Sequence, residues 1–211
     1  MKFEINYTLL ADGSSDMVLI PIINWTLRNQ FPTIVVQAQF AKFALRKKPK
    51  TLEERIKYAI EIYPCDVLFV HRDAENMSFA ESRDEIQKAW DNVNQQLDHE
   101  LIGIVPVRMT EAWLLINESA IKVASGNPNS QEKLSLPAPQ KLENKRDPKD
   151  KLHTLIKRAS NLRGRNLDKL NTHQAVHLVA ENISDYTPLR DLNAFQKFEE
   201  EIQTVISTLM E

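Results

Sequence analysis

The sequence predicts an α/β fold: a mostly parallel four-stranded sheet flanked by helices, followed by a helical C-terminal extension. Three observations carry that expectation. Short apolar stretches alternate with helical ones through the first half of the chain, the rhythm of right-handed strand–helix–strand crossovers. The run Val67 to Val70 is apolar without alternation, as in a central strand covered on both faces. Composition then changes near Ser125, and from Asp147 to Glu211 the pattern is helical only.

In order, "KFEINYTLL" alternates Phe3, Ile5, Tyr7 and Leu9 with more polar residues and reads as the first strand. Ser14 or Ser15 opens a helix whose apolar positions include Val18, Leu19, Ile22, Ile23 and Leu27. "TIVVQAQF", Thr33 to Phe40, is rich in β-branched residues and forms the second strand. "TLEERIKYAIEIY" is an amphipathic helix, with Thr51 and Glu54 spaced as a capping box. The third strand lies in "CDVLFVHRDAE", and a polar helix from about Ala80 to Leu97 follows. "LIGIVPV" is the fourth strand, and Pro106 places it at an edge or near its own end. "TEAWLLI" begins another helix. Residues 1–124 thus form the α/β core and 125–146, rich in Pro, Asn and Ser, a loop. Residues 147–211 form a helical part packed on the core, with helices near 148–160, 169–181 and 189–210. Asp147-Pro148 reads as an N-cap followed by proline at the first helical position.

Composition narrows the function classes. The 211 residues, 42% hydrophobic and 27% charged, are those of an ordinary globular chain. No apolar run approaches the roughly 20 residues that span a bilayer, and the N-terminus lacks the layout of a signal peptide, so a cytoplasmic protein is expected. The single cysteine, Cys65, excludes an internal disulfide and a multi-cysteine zinc site. Among only 4 glycines there is neither a GxGxxG nor a GxxxxGK[ST] loop, so this chain is not itself a P-loop ATPase. A net charge of −2 does not make a polycation, but basic residues cluster. Lys42, Arg46, Lys47, Lys48 and Lys50 form one acid-free run, and residues 141–165 hold a second basic zone. Either is a solvated face or a backbone contact for nucleic acid.

The chemistry-bearing residues are acids at the ends of strands. Asp12 ends the first, Asp73 and Glu75 follow the third with spacing that points both carboxylates one way, and Glu111 follows the fourth. Singly each has a structural reading: Asp12 as a turn residue before Gly13, Asp73 and Glu75 as loop acids, Glu111 as favouring a helix N-terminus. Asp16 reads as an acid of the first helical turn. Jointly, carboxylates at one sheet edge would repel one another unless a cation sat between them, and Mg²⁺ or Mn²⁺ suits oxygen donors. Strand alternation makes His71 the neighbour of Asp73 and turns Arg72 away. Arg108 is placed to hold phosphate or pair with a site acid, and Lys149 to approach the site or simply to solvate a helix face. His173 and His177 have i, i+4 spacing without an evident third ligand and read as structural. Trp25, Trp90 and Trp113 read as packing residues.

These landmarks, "ADGSSD", "VLFVHRDAE", "VPVRMTEAWLL", "DPKDKL" and "AENISDYTPLRDLNAFQKF", resemble a Toprim-like family of prokaryotic proteins. That family is related to the Toprim domains of OLD-type nucleases and is often encoded beside ABC or AAA ATPases in defence loci. The likeness runs from Asp12 to Phe198. It implies a Toprim-like, Rossmann-like core and a Mg²⁺- or Mn²⁺-dependent nuclease with Asp12, Asp73, Glu75 and Glu111 as metal-binding and catalytic residues. Arg46, Lys47, Lys48, His71, Arg72, Arg108 and Lys149 would then contact phosphate or nucleic acid, DNA or RNA. It also implies an ATPase partner and a role in antiviral defence. Asp12 stands where Toprim domains usually carry glutamate, one methylene longer, and Glu75 stands where an aspartate is usual. Two alternatives follow: a subunit that kept the fold and lost the chemistry, docking on an ATPase, or a small-molecule phosphohydrolase with 125–146 as its lid.

Overall fold

The computed structural model describes residues 3–43, 49–74, 77–93, 99–107, 109–144 and 146–211. Four strands form one sheet: β1 (Glu4–Leu10), β2 (Val35–Phe40), β3 (Val67–His71) and β4 (Glu100–Ile104). They lie in the order β2-β1-β3-β4, and every pairing is parallel. The core is therefore the α/β sheet that the alternation predicts, consistent with a Rossmann-like fold.

Three helices connect the strands: α1 (Leu19–Gln30), α2 (Leu52–Ile62) and α3 (Phe79–Val93). Successive side chains of a strand point to opposite faces, and β3 shows the result. Val67 and Phe69 join one core cluster, with Leu19, Ile22, Ile23 and Leu27 of α1. Leu68 and Val70 join the other, with Ile56 and Ala59 of α2 and Ile86 and Trp90 of α3. All five residues of β3 are buried, which is why its sequence carries no polar alternation. β2, by contrast, lies at one edge and is partly or fully exposed along its whole length. β4 is the other edge and stops two residues before Pro106, which cannot donate to a ladder.

Beyond β4 come α4 (Glu118–Ala124), α5 (Pro148–Ser160), the short α6 (Gly164–Asp168), α7 (Thr172–Asn182) and α8 (Asn193–Met210). The described residues between α4 and α5 are loop except for a 3-10 helix at Pro139–Asn144. Apart from α6, which buries no residue, these helices belong to the α1 side of the sheet: Ile121, Leu152, Val179, Phe195, Phe198 and Ile202 share a cluster with Tyr7, Phe69 and Ile104. A polar clasp adds to the seal, because Gln30 donates to the Glu199 carbonyl oxygen at 3.0 Å. Arg83 of α3 meanwhile pairs with Glu201 of α8. Among the described residues, no helix is long and apolar enough to cross a membrane.

Local signals act as their spacing predicts. Thr51 accepts from the Glu54 N–H at 3.2 Å, and the Glu54 carboxylate reaches back to the N–H groups of Lys50 and Thr51. Asp147 accepts from the Asp150 N–H at 2.9 Å ahead of Pro148 at the start of α5. Thr51→Ala is expected to lower unfolding free energy by about 1 kcal/mol, read in urea titrations, because α2 would lose one satisfied N-terminal donor.

Candidate functional site

β1 lies between β2 and β3, so the chain winds outward from β1 in one direction and then returns across it in the other. In open parallel sheets, ligands bind beyond the carboxyl ends of strands at such a reversal. Asp12 leaves β1 there and Asp73 leaves β3, both lining one cleft of about 500 Å³ together with Asp16 and Arg72.

Each acid is held differently. Asp12 is half exposed and gripped by two guanidinium groups. Arg55 of α2 pairs with its Oδ1 and also donates to the Ala11 carbonyl oxygen at 2.6 Å. Arg72 donates to both Asp12 oxygens at 3.0 and 3.1 Å while its other arm binds Glu85 at 2.8 Å. Burial pushes the Asp12 carboxyl up, but the Arg55 hydrogen bond and the charges of Arg72 and Arg55 bring it below the usual aspartate value. Asp16 is buried and folds back on its own turn, accepting from the Gly13 N–H at 3.0 Å and the Ser15 hydroxyl at 3.3 Å. Its role as an acid of the first turn stands, and its place on the cleft wall adds to it.

Asp73 is the most deliberately positioned of the three. Its Oδ1 accepts from the Thr110 N–H at 3.1 Å and the Thr110 hydroxyl at 3.3 Å, and the His71 Nε2 lies 3.4 Å away. His71 is buried, and its Nδ1 lies 3.1 Å from the Ile104 carbonyl oxygen, so that nitrogen carries a proton. Among the described residues, every hydrogen bond to Asp73 falls on Oδ1, and Oδ2 stays uncommitted. His71 is the neighbour of Asp73, as strand alternation predicts, but Arg72, which the same alternation turns away, lines the cleft and binds Asp12 and Glu85, whereas buried His71 is not among the lining residues.

Burial opposes a charged His71, but the hydrogen bond and charge of Asp73, helped by Asp16 and the Ile104 carbonyl, raise its pKa above the ordinary histidine value. A raised folded-state pKa means that protonation stabilises the fold. The contribution is complete below about pH 6.5 and is lost as pH rises through the raised value. The stability of the wild type relative to His71→Leu is therefore expected to fall from mildly acidic to alkaline pH. Thermal midpoints measured across that range check the sign.

The fourth predicted acid does not join this cleft. Glu111 is buried in a 3-10 turn, Thr110–Leu114, and points to a second cleft, with Lys149 Nζ 3.4 Å from its Oε1. That pairing also places Lys149 away from the acidic cleft's lining. Glu75, Arg46, Lys47, Lys48 and Arg108 lie outside the described residues. Sequence reasoning missed Arg55 and Thr110. Arg55 carries no local signal, since it reaches Asp12 from a helix 43 residues away. Thr110, beside Glu111, marks a turn rather than a site on pattern alone.

The donor chemistry of the acidic cleft suits a hard divalent cation, since three carboxylates line it and, among the described residues, no hydrogen bond engages Asp73 Oδ2. The placement is not yet that of a metal centre. Among the described residues, no group of three His, Cys, Asp or Glu side chains could hold a metal ion. Asp12 is spent on arginines and Asp16 on its own turn. No family model, curated protein or solved structure matches the chain.

Proposed function

We propose that the protein is a phosphodiesterase acting on nucleic acid at the acidic cleft, dependent on Mg²⁺ or Mn²⁺. The observation that carries this reading is the gathering of Asp12, Asp16 and Asp73 with Arg72 at the sheet's topological switch. The resemblance of the strand-end motifs to the Toprim-like family is its counterpart in sequence. Asp73, through its Oδ2, with Asp12 and Glu75, would hold the ion. When bound, the ion supplies an activated water and neutralises charge on the phosphodiester.

The rest is the work of the chain's own groups. Thr110 and His71 fix the Asp73 carboxylate in one orientation, so little reorganisation is needed when substrate arrives. Arg72, which lines the cleft, and Arg55 both sit on Asp12, and transferring them to an incoming phosphate oxygen would free Asp12. Lys42 with Phe40 and Phe43 lines a smaller cleft that shares Asp12 and Gly13 with the acidic one. A basic and aromatic wall there suits a strand continuing past the reacting phosphate better than a small phosphoester.

The test is cleavage of single- and double-stranded DNA and RNA by purified protein. Products are expected with Mg²⁺ or Mn²⁺ and none in chelator, and failure to cut any of the four substrates with either ion overturns the reading. A second reading, a non-catalytic subunit docking on an ATPase, draws on the two arginines that neutralise Asp12. It requires that millimolar Mn²⁺ leave the protein unbound in calorimetry, whereas the nuclease reading requires binding.

A further inference from the structure

The second cleft, about 330 Å³, is built from four separate parts of the chain. The Thr110–Leu114 turn supplies Glu111, α5 supplies Lys149 and His153, α7 supplies His173 and His177, and the 3-10 turn after β1 supplies Ser14 and Ser15. Spacing of i, i+4 puts Lys149 and His153 on one face of α5, and His173 and His177 on one face of α7. The two faces meet, and the rings of His153 and His173 stand 5.2 Å apart and nearly perpendicular. His153 is thus the partner that the His173–His177 pair lacks in the sequence.

We propose that this cleft binds a phosphate group. One ammonium, three imidazoles and two serine hydroxyls, all able to donate, face a single carboxylate. Lys149 contacts that carboxylate at only 3.4 Å and has further N–H donors to offer. The Nε2 of His153 is buried and, among the described residues, has no hydrogen-bond partner. A buried polar atom left alone in a folded chain asks for a ligand. The electrostatics agree, since His153 is held below the ordinary histidine value by burial and then by the charges of His173 and Lys149, with Glu111 opposing. Lys149 and His173 are also the second residues of α5 and α7, where helix dipoles favour an anion. A metal is the poorer occupant, because Lys149 competes for the space and, among the described residues, no group of three His, Cys, Asp or Glu side chains could hold an ion.

The phosphate has two sources. It is either a free phosphate or a phosphate of a nucleic acid strand crossing Ser15, which also lines the acidic cleft. Only the second rests on the nuclease reading.

The test follows imidazole proton resonances of the full chain during titration with inorganic phosphate. A parallel titration, in chelator, uses an oligonucleotide lacking terminal phosphates. Signals of His153, His173 and His177 are expected to shift saturably with millimolar phosphate. Lys149→Met should weaken binding by about tenfold, as should His173→Gln at an exposed position, each removing a strong donor. Asp73→Asn should leave phosphate affinity unchanged. A response to phosphate alone supports the free ligand, and a response to both supports the strand. The proposal is overturned if no histidine signal moves, if both variants bind as tightly as wild type, or if Asp73→Asn alone abolishes binding. None of these outcomes depends on cleavage.

Discussion

Trp113→Ala is expected to destabilise the protein by about 3–5 kcal/mol, the range for deleting a large buried aromatic. Trp113 is only 1% exposed and sits in the same turn as Thr110 and Glu111. Its ring meets Phe195 edge-on at 5.3 Å and Phe198 at 6.1 Å, both on α8. Among the described residues its indole N–H has no partner, so truncation forfeits no hydrogen bond and the loss is that of packing. Against a typical total of about 5–15 kcal/mol this leaves a marginal fold. In urea, the midpoint should drop with little change in slope, and Trp113→Phe should recover most of the difference. A loss of less than about 1 kcal/mol would mean that the turn repacks without its anchor.

Asp73→Asn is expected to lower nucleic acid cleavage by about 100-fold or more, because the variant loses a carboxylate that would hold the ion. The amide keeps the shape and can still accept from Thr110, so the fold should survive. What disappears is the charge. Burial then acts on His71 without its main opponent, and the His71 pKa should fall in the variant. Single-turnover rates and a histidine titration on the same sample separate the effects. Cleavage within about threefold of wild type would place the chemistry elsewhere.

Much of the fold was legible because it is written locally. Thr51 with Glu54, Asp147 with Pro148, and the unbroken run at Val67 each act within a few residues of themselves. The acids at strand ends were legible for the same reason, since a parallel sheet aligns those ends whatever else the chain does. What the pattern does not encode is which side chain answers which across the fold. Arg55 reaches Asp12, Thr110 reaches Asp73, and His153 meets His173 from another helix. Glu111 shows the limit best, because it follows the fourth strand as required and yet faces Lys149 in the neighbouring cleft.

The contact between Gln30 and Glu199 has a kinetic meaning. It joins positions 169 residues apart, and around it the α1 side of the sheet is closed by α8. Loop-closure entropy on that scale must be met before the packing rewards it, so this face is expected to assemble late in refolding. Until then Phe69 and Ile104 lack the cover of Phe198 and Ile202. A chain in that half-made state is sticky, which makes refolding yield, more than final stability, the property most sensitive to protein concentration.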